Sequence, residues 1–360
     1  DAVLLDDGKK RLEVLSVSGD EIKCRIVVGG ETKGRRGVNL PGVSLKISCL
    51  TAKDKKDLAF GIENNVDFVA LSFVRHASDV RELRTILKKT KSTARIIAKI
   101  ETTEAIENID AIIAEADGVM VARGDLAVEV PAEQVPVLQK MIVKKCNRAG
   151  KPVIVATQMM ESMIKSPVPT RAEVSDVANS ILDGADAVML SEESALGEYP
   201  VETVVMMTKV AHMVEQNYTH KKALYGELFD GEFANGDDAY KGIVDAVTYG
   251  AVCTADAVGA VAIIALTETG FTARMLSRFR PAQPIIVMSP TKSVFEQISL
   301  SFGCYPAQID KLVTIDAVMQ EVREYVLKHK YAKKGDKVVI AAGVPFGRTG
   351  GTNMHLVEII

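Results

Sequence analysis

The hydrophobic rhythm of the chain changes twice. Residues 1 to 43 alternate apolar and polar positions (Leu12, Val14, Leu15, Val17, then Ile22, Cys24, Ile26, Val28), with Gly-Asp and Gly-Gly between runs. A period of two interrupted by turn residues predicts short antiparallel strands, a small β module. From residue 44 to 217 the pattern becomes brief apolar runs: DFVALSFV, RIIAKIE, DGVMVARGD, PVIVATQ and DAVMLSEE. Between them lie stretches with apolar residues near helical spacing and a charged face, predicting helices over 78–89, 134–149 and 203–216. Alternation of this kind predicts βα units on a parallel sheet. Residues 218–241 are polar, acidic and Gly-bearing, as a domain boundary is. Beyond them a helix rich in small residues (242–256), the runs AVAIIALTE, PIIVMSP and KVVIAAGV, and a long helix (316–330) predict a second, open α/β domain. The expected division is 1–43, 44–217 and 218–360.

The number of apolar runs in the middle region matters. A parallel barrel closes with eight strands, and five leave two unpaired edges. Strands preceding this sequence are therefore expected to complete a (β/α)8 TIM-type barrel, with the β module as its lid.

Composition narrows the function. The chain has 360 residues, 47% of them hydrophobic, enough for two or three cores. Its net charge of −3 comes from interspersed charges, which excludes a general affinity for nucleic acid or an anionic membrane surface. No apolar run reaches the roughly 20 residues of a membrane helix and no signal-peptide pattern opens the chain, so a cytoplasmic protein is expected. Five scattered cysteines without a Cys-x-x-Cys pair argue against a disulfide framework and against structural zinc, and predict buried free thiols. None of the five histidines falls at the end of an apolar run, which argues against an imidazole base.

In a barrel the reacting groups stand at the C-terminal ends of strands. Those ends carry Ser72 and Arg75, Lys99 and Glu101, Gly124 and Asp125, Thr157 and Gln158, and Ser191 with Glu192 and Glu193. The two-residue strand period points Lys99 and Glu101 the same way. Two readings stand for this pair, a structural ion bridge and a reacting cation with its metal ligand. Asp125, beside Gly124, supplies a second carboxylate where backbone approaches a ligand closely. Two carboxylates plus waters and substrate oxygens suit Mg²⁺. In the last domain, Thr267, Thr269, Gly270 and Thr272 follow a strand and open a helix, which fits either an anion site or simple capping.

Several stretches together resemble pyruvate kinase: GVNLPG (37–42), KIE (99–101), MVARGDLAVEVP (120–131), ATQMMESMI (156–164), PTRAEVSDVANSILDGADAVMLS (169–191) and EYP (198–200). The resemblance runs from Leu5-Asp6-Asp7-Gly8 to Gly351-Thr352-Asn353. It implies transfer of the phosphoryl group of phosphoenolpyruvate to ADP, giving pyruvate and ATP, with Mg²⁺ and K⁺ as cofactors. It implies that Lys99 stabilises charge on the phosphoryl group and the enolate oxygen, and that Glu101 and Asp125 hold Mg²⁺. It places Gly124, Asp125 and Thr157 at the substrate carboxylate, and Thr157 and Ser191 in proton delivery to the enolate. Arg36, in the basic turn with Lys33 and Arg35, is implied at the nucleotide phosphates, against the alternative of a solvated charge run. Thr267, Thr269, Gly270, Thr272 and Arg348 are implied in a pocket for a sugar-phosphate or nucleotide effector, and a homotetramer is implied as the assembly. Potassium ligands and the first barrel strands of the family have no counterpart in this sequence, and SEESALG (191–197) departs from the commoner SGETAKG. Two rivals follow: another barrel enzyme acting on phosphoenolpyruvate or a 2-oxo acid, and a catalytically incomplete chain that binds phosphate esters in a regulatory or assembly role.

Overall fold

A computed structural model describes residues 1–5, 8–31, 37–43, 48–217, 239–310, 315–346 and 351–360. The chain forms two compact units. One gathers Asp1–Lys145, Val153–Val177 and Val188–Thr208; the other gathers Cys146–Pro152, Ala178–Ala187 and Lys209–Ile360.

The first unit opens with strands β1 (Ala2–Leu5), β2 (Lys10–Ser18), β3 (Glu21–Val28) and β4 (Val38–Asn39) in the antiparallel order β3-β2-β1-β4. Gly19, at φ +60°, makes the tight return between β2 and β3 that an L side chain resists. Leu12 and Val14 are half-buried as the alternation predicts, but Leu15 and Val17 are exposed. A register shift between Val14 and Ser16 breaks the period of two at that point.

The βα region of the same unit carries β5 (Phe68–Leu71), β6 (Arg95–Ile100), β7 (Gly118–Ala122), β8 (Val153–Ala156) and β9 (Ala187–Met189), a sheet in that order. β5 to β8 pair in parallel. β7 and β8 are buried along their whole length, which is why their sequences read as unbroken apolar runs rather than alternating ones. The helices run Ala77–Lys89, Val135–Ala149 and Pro200–Asn217, within three residues of expectation at each end. The first buries Val80, Leu83 and Leu87 at helical spacing, and Asp79 accepts from the N–H groups of Arg75 and His76 at its start.

The second unit contains β10 (Ala262–Leu266), β11 (Ile285–Ser289), β12 (Cys304–Gln308), β13 (Lys337–Ala342) and β14 (Met354–Ile359), in the order β12-β11-β10-β13-β14. Only β14 is antiparallel to its neighbour. Alternate residues of β10 enter opposite cores: Ile263 and Ala265 pack with Leu276, Phe279 and Val287, whereas Ile264 and Leu266 pack with Val318, Val322 and Val326. Both faces are covered, as in an open doubly wound sheet. Arg278 and Arg280 are buried within this unit. Arg280 bonds Asp186 at 2.8 Å and Asn147 at 2.9 Å, and Arg278 bonds Asp245 at 2.5 Å. Guanidiniums this deep are tolerable because nearly every donor has an acceptor.

All five cysteines are free, but they differ: Cys146 and Cys304 are buried, Cys24 and Cys49 half-buried, and Cys253 exposed. Among the described residues no helix is long and apolar enough to cross a membrane.

Candidate active site

Lys99 points at Glu101. Its Nζ lies 2.7 Å from Glu101 Oε1 and donates to Ser72 Oγ at 3.0 Å. Glu101, just beyond β6, is 1% exposed, and its Oε2 accepts from the Phe73 N–H at 2.6 Å. Phe73 is in the left-handed region at φ +52°, and this bend aims its N–H at the carboxylate. Oε1 is buried and receives no hydrogen bond of workable geometry despite the nearby ammonium. One oxygen of Glu101 is thus fixed by backbone, and the other keeps acceptor capacity.

Across the sheet, β7 ends in Ala122 and the helix Arg123–Glu129 starts at once, bringing Gly124 and Asp125 to its first turn. Gly124 N–H donates to Thr157 Oγ1 at 2.8 Å, and that hydroxyl donates to Ala156 O at 2.6 Å. Thr157 and Gln158 are both left-handed, at φ +72° and +54°. For residues with a Cβ this costs about 1–2 kcal/mol each, so neighbouring bonds must hold the turn. Arg123 supplies two, from Nη2 to Thr157 O at 2.7 Å and Nε to Ala156 O at 3.3 Å, while its Nη1 pairs with Asp176 at 2.7 Å. Charge-assisted bonds contribute about 1.5–3 kcal/mol each, enough to offset the strain. Burial pushes the Glu129 carboxyl up, and the neighbouring Glu104 and Asp125 carboxylates add to the rise.

Ser191 is half-buried at the end of β9, and its N–H donates to Glu193 Oε2 at 2.7 Å. In the second unit, Gly270 is the left-handed N-cap of the helix Phe271–Ser277, φ +75°, with no side-chain cap bond. Thr267 and Thr272 are buried, Thr272 Oγ1 lying 2.8 Å from Thr352 Oγ1. The Thr269 carbonyl accepts from Arg274 at 3.2 Å. Arg36 and Arg348, with Lys33 and Arg35, lie outside the described residues. The sequence marks Ser72 and Glu193 as strand-end residues without assigning them a role, and gives Arg123 none. Their roles depend on which partner atom in another loop or strand each reaches, and spacing carries no signal of that.

An ammonium fixed beside a buried carboxylate at the C-terminal end of a parallel strand is what a β/α enzyme that manages charge on oxygen presents. Residues 1–204 match the family model of the pyruvate kinase barrel domain, and residues 245–358 match that of the pyruvate kinase alpha/beta domain. The chain is 44% identical to a pyruvate kinase of Clostridium perfringens over 360 residues, all of this chain and 75% of that protein. It is also 44% identical to the pyruvate kinase of Geobacillus stearothermophilus over 361 residues, 99% of this chain and 60% of that protein. The crystal structure of a pyruvate kinase from Cryptosporidium parvum superposes with a TM-score of 0.89 at 35% identity, covering 99% of this chain and 72% of that one. The chain belongs to the pyruvate kinase family, whose members are phosphotransferases.

Proposed function

We propose that this rim transfers the phosphoryl group of phosphoenolpyruvate to ADP, with Lys99 as the cation the transfer requires. The observation that carries the reading is Lys99 Nζ held between Ser72 Oγ and the buried Glu101 carboxylate. Phosphoryl transfer is catalysed mainly by positioning and by positive charge that needs no reorganisation as the transferring oxygens gain charge. An ammonium anchored at two points meets that need.

Glu101 and Asp125 are the proposed Mg²⁺ ligands. The residues fit such an ion. Glu101 Oε1 is buried and receives no hydrogen bond, so its acceptor capacity is open to a cation. Mg²⁺ takes few protein carboxylates and completes its shell with water and substrate oxygens. When bound there it supplies Lewis-acid charge at the carboxylate and enolate oxygens of the substrate. The substrate carboxylate is assigned to the Gly124 and Asp125 backbone and the Thr157 hydroxyl; Gly124 N–H and Thr157 Oγ1 adjoin in a 2.8 Å bond that the carboxylate must replace. Thr157 and Ser191 are assigned to water-linked proton delivery to the enolate. For this the Thr157 proton must turn from Ala156 O, which now receives it. K⁺ dependence, Arg36 at the nucleotide, a cytoplasmic homotetramer, and a phosphate-ester effector at Thr267, Thr269, Gly270, Thr272 and Arg348 complete the proposal.

Pyruvate formation in a coupled assay tests the reading. Lys99→Met is expected to lower kcat at least about 10²- to 10³-fold, the usual cost of removing one transition-state charge donor. Turnover that survives the substitution contradicts it. Binding of a sugar phosphate by a wild-type chain that shows no turnover supports the regulatory alternative instead.

A further inference from the structure

Glu193 has no part in the chemistry above, yet it is 2% exposed and its two oxygens serve two different strand-end loops. Oε1 accepts from Met160 N–H at 3.1 Å, in the loop after β8, and Oε2 from Ser191 N–H at 2.7 Å, after β9. The loops also touch through backbone. Glu198 N–H donates to Ile164 O at 2.8 Å, and a Cβ added to Gly197 would stand 2.3 Å from Glu193 O and 3.3 Å from Ile164 Cα. Nothing bulkier than glycine fits that seam.

The position of Met160 gives the link its meaning. It lies two residues after the left-handed pair Thr157 and Gln158. A strained pair persists only when its surroundings over-determine it. Arg123 and Gly124 hold the Thr157 side of the turn. Glu193 holds the outgoing side. We propose that Glu193 is a positioning residue: its carboxylate latches the loop after β8 to the loop after β9, and so fixes the Thr157 hydroxyl relative to Ser191. This rests on the assignment of those two hydroxyls to proton delivery. A carboxylate suits the task because it is acceptor-only and can receive both N–H groups at once, whereas a glutamine turns an N–H toward one of them.

The test uses the full chain as wild type, Glu193→Gln, Thr157→Ala and the double variant. Three quantities are read: kcat and KM for phosphoenolpyruvate, exchange of pyruvate methyl protons with solvent deuterium by NMR, and amide hydrogen exchange over 157–164. Glu193→Gln is expected to slow methyl exchange and turnover by about tenfold or more, within the range of lost acid–base assistance. KM should stay within about twofold, since the substrate-binding groups remain. Amides over 157–164 should exchange at least about tenfold faster, while those of β10 and β11 are unchanged. Because Glu193 acts through Thr157, the double variant should be no slower than the slower single variant. Unchanged amide protection, or losses that multiply in the double variant, overturn the latch. Wild-type methyl exchange in Thr157→Ala instead contradicts the role assigned to Thr157. Should Glu193→Gln fail to fold, the wild-type protein still decides: Met160 and Ser191 must have the slowest amides of their loops, and fast exchange at either overturns the latch.

Discussion

Glu173 shows how one carboxylate can set the start of a helix. Burial pushes its carboxyl up, but four bonds, from Ser162 N–H and Oγ and from Thr170 N–H and Oγ1, outweigh burial and hold it below the ordinary 4.5. A folded-state value below the unfolded one gives stability that is full above 4.5 and is lost as pH falls through the lowered value. Melting temperature followed against pH should therefore drop more steeply below 4.5 in wild type than in Glu173→Gln, which lacks the titrating group; parallel curves would rule this out. Thiol chemistry gives a second outcome at this scale. Burial pushes Cys304 up to about 12, with Asp186 adding to it, and burial raises Cys146 further still. Thiol titration of the native protein should modify exposed Cys253 quickly and leave Cys146 and Cys304 unmodified until unfolding, because the thiolate is the reactive form. The pairing of Lys99 with Glu101 was legible in the sequence because a strand's period of two depends on nothing beyond the strand. The Phe73 N–H on Glu101 was not, since it arises from a left-handed residue 28 positions away in a different loop.

Among elements, those with one dominant period were read well and those shaped by neighbours were not. The helices Ala77–Lys89 and Pro200–Asn217 follow from their apolar spacing and charged faces. The short helix Arg123–Glu129 overlaps the last residues of the run DGVMVARGD, which give no sign of where β7 stops. The exposed Leu15 and Val17 follow from a register shift that depends on the partner strand. The seam between the loops after β8 and β9 offers a steric test. Gly197→Ala places a methyl 2.3 Å from a backbone oxygen, and overpacking of this kind costs about 1–3 kcal/mol. Chemical denaturation should show a loss of that size; wild-type stability would mean that the seam yields more readily than the distance implies.

Across the whole molecule, the chain divides into two units: one carries the β/α sheet, and the other an open α/β sheet with its own two-sided core. Buried charge helps fix the second unit. Arg280→Met removes one member of a buried pair and leaves Asp186 without that partner, an event that costs about 3–5 kcal/mol. Calorimetry should show a lowered unfolding transition, and an unchanged profile would show that Asp186 finds another donor. The central claim is that Glu101 and Asp125 jointly present oxygen ligands to one divalent cation beside Lys99. Electron paramagnetic resonance of Mn²⁺ added to the full chain tests it most directly. Wild type should bind one Mn²⁺ tightly in the presence of phosphoenolpyruvate, and both Glu101→Gln and Asp125→Asn should lose that binding, whereas undiminished Mn²⁺ affinity in either variant would contradict the account.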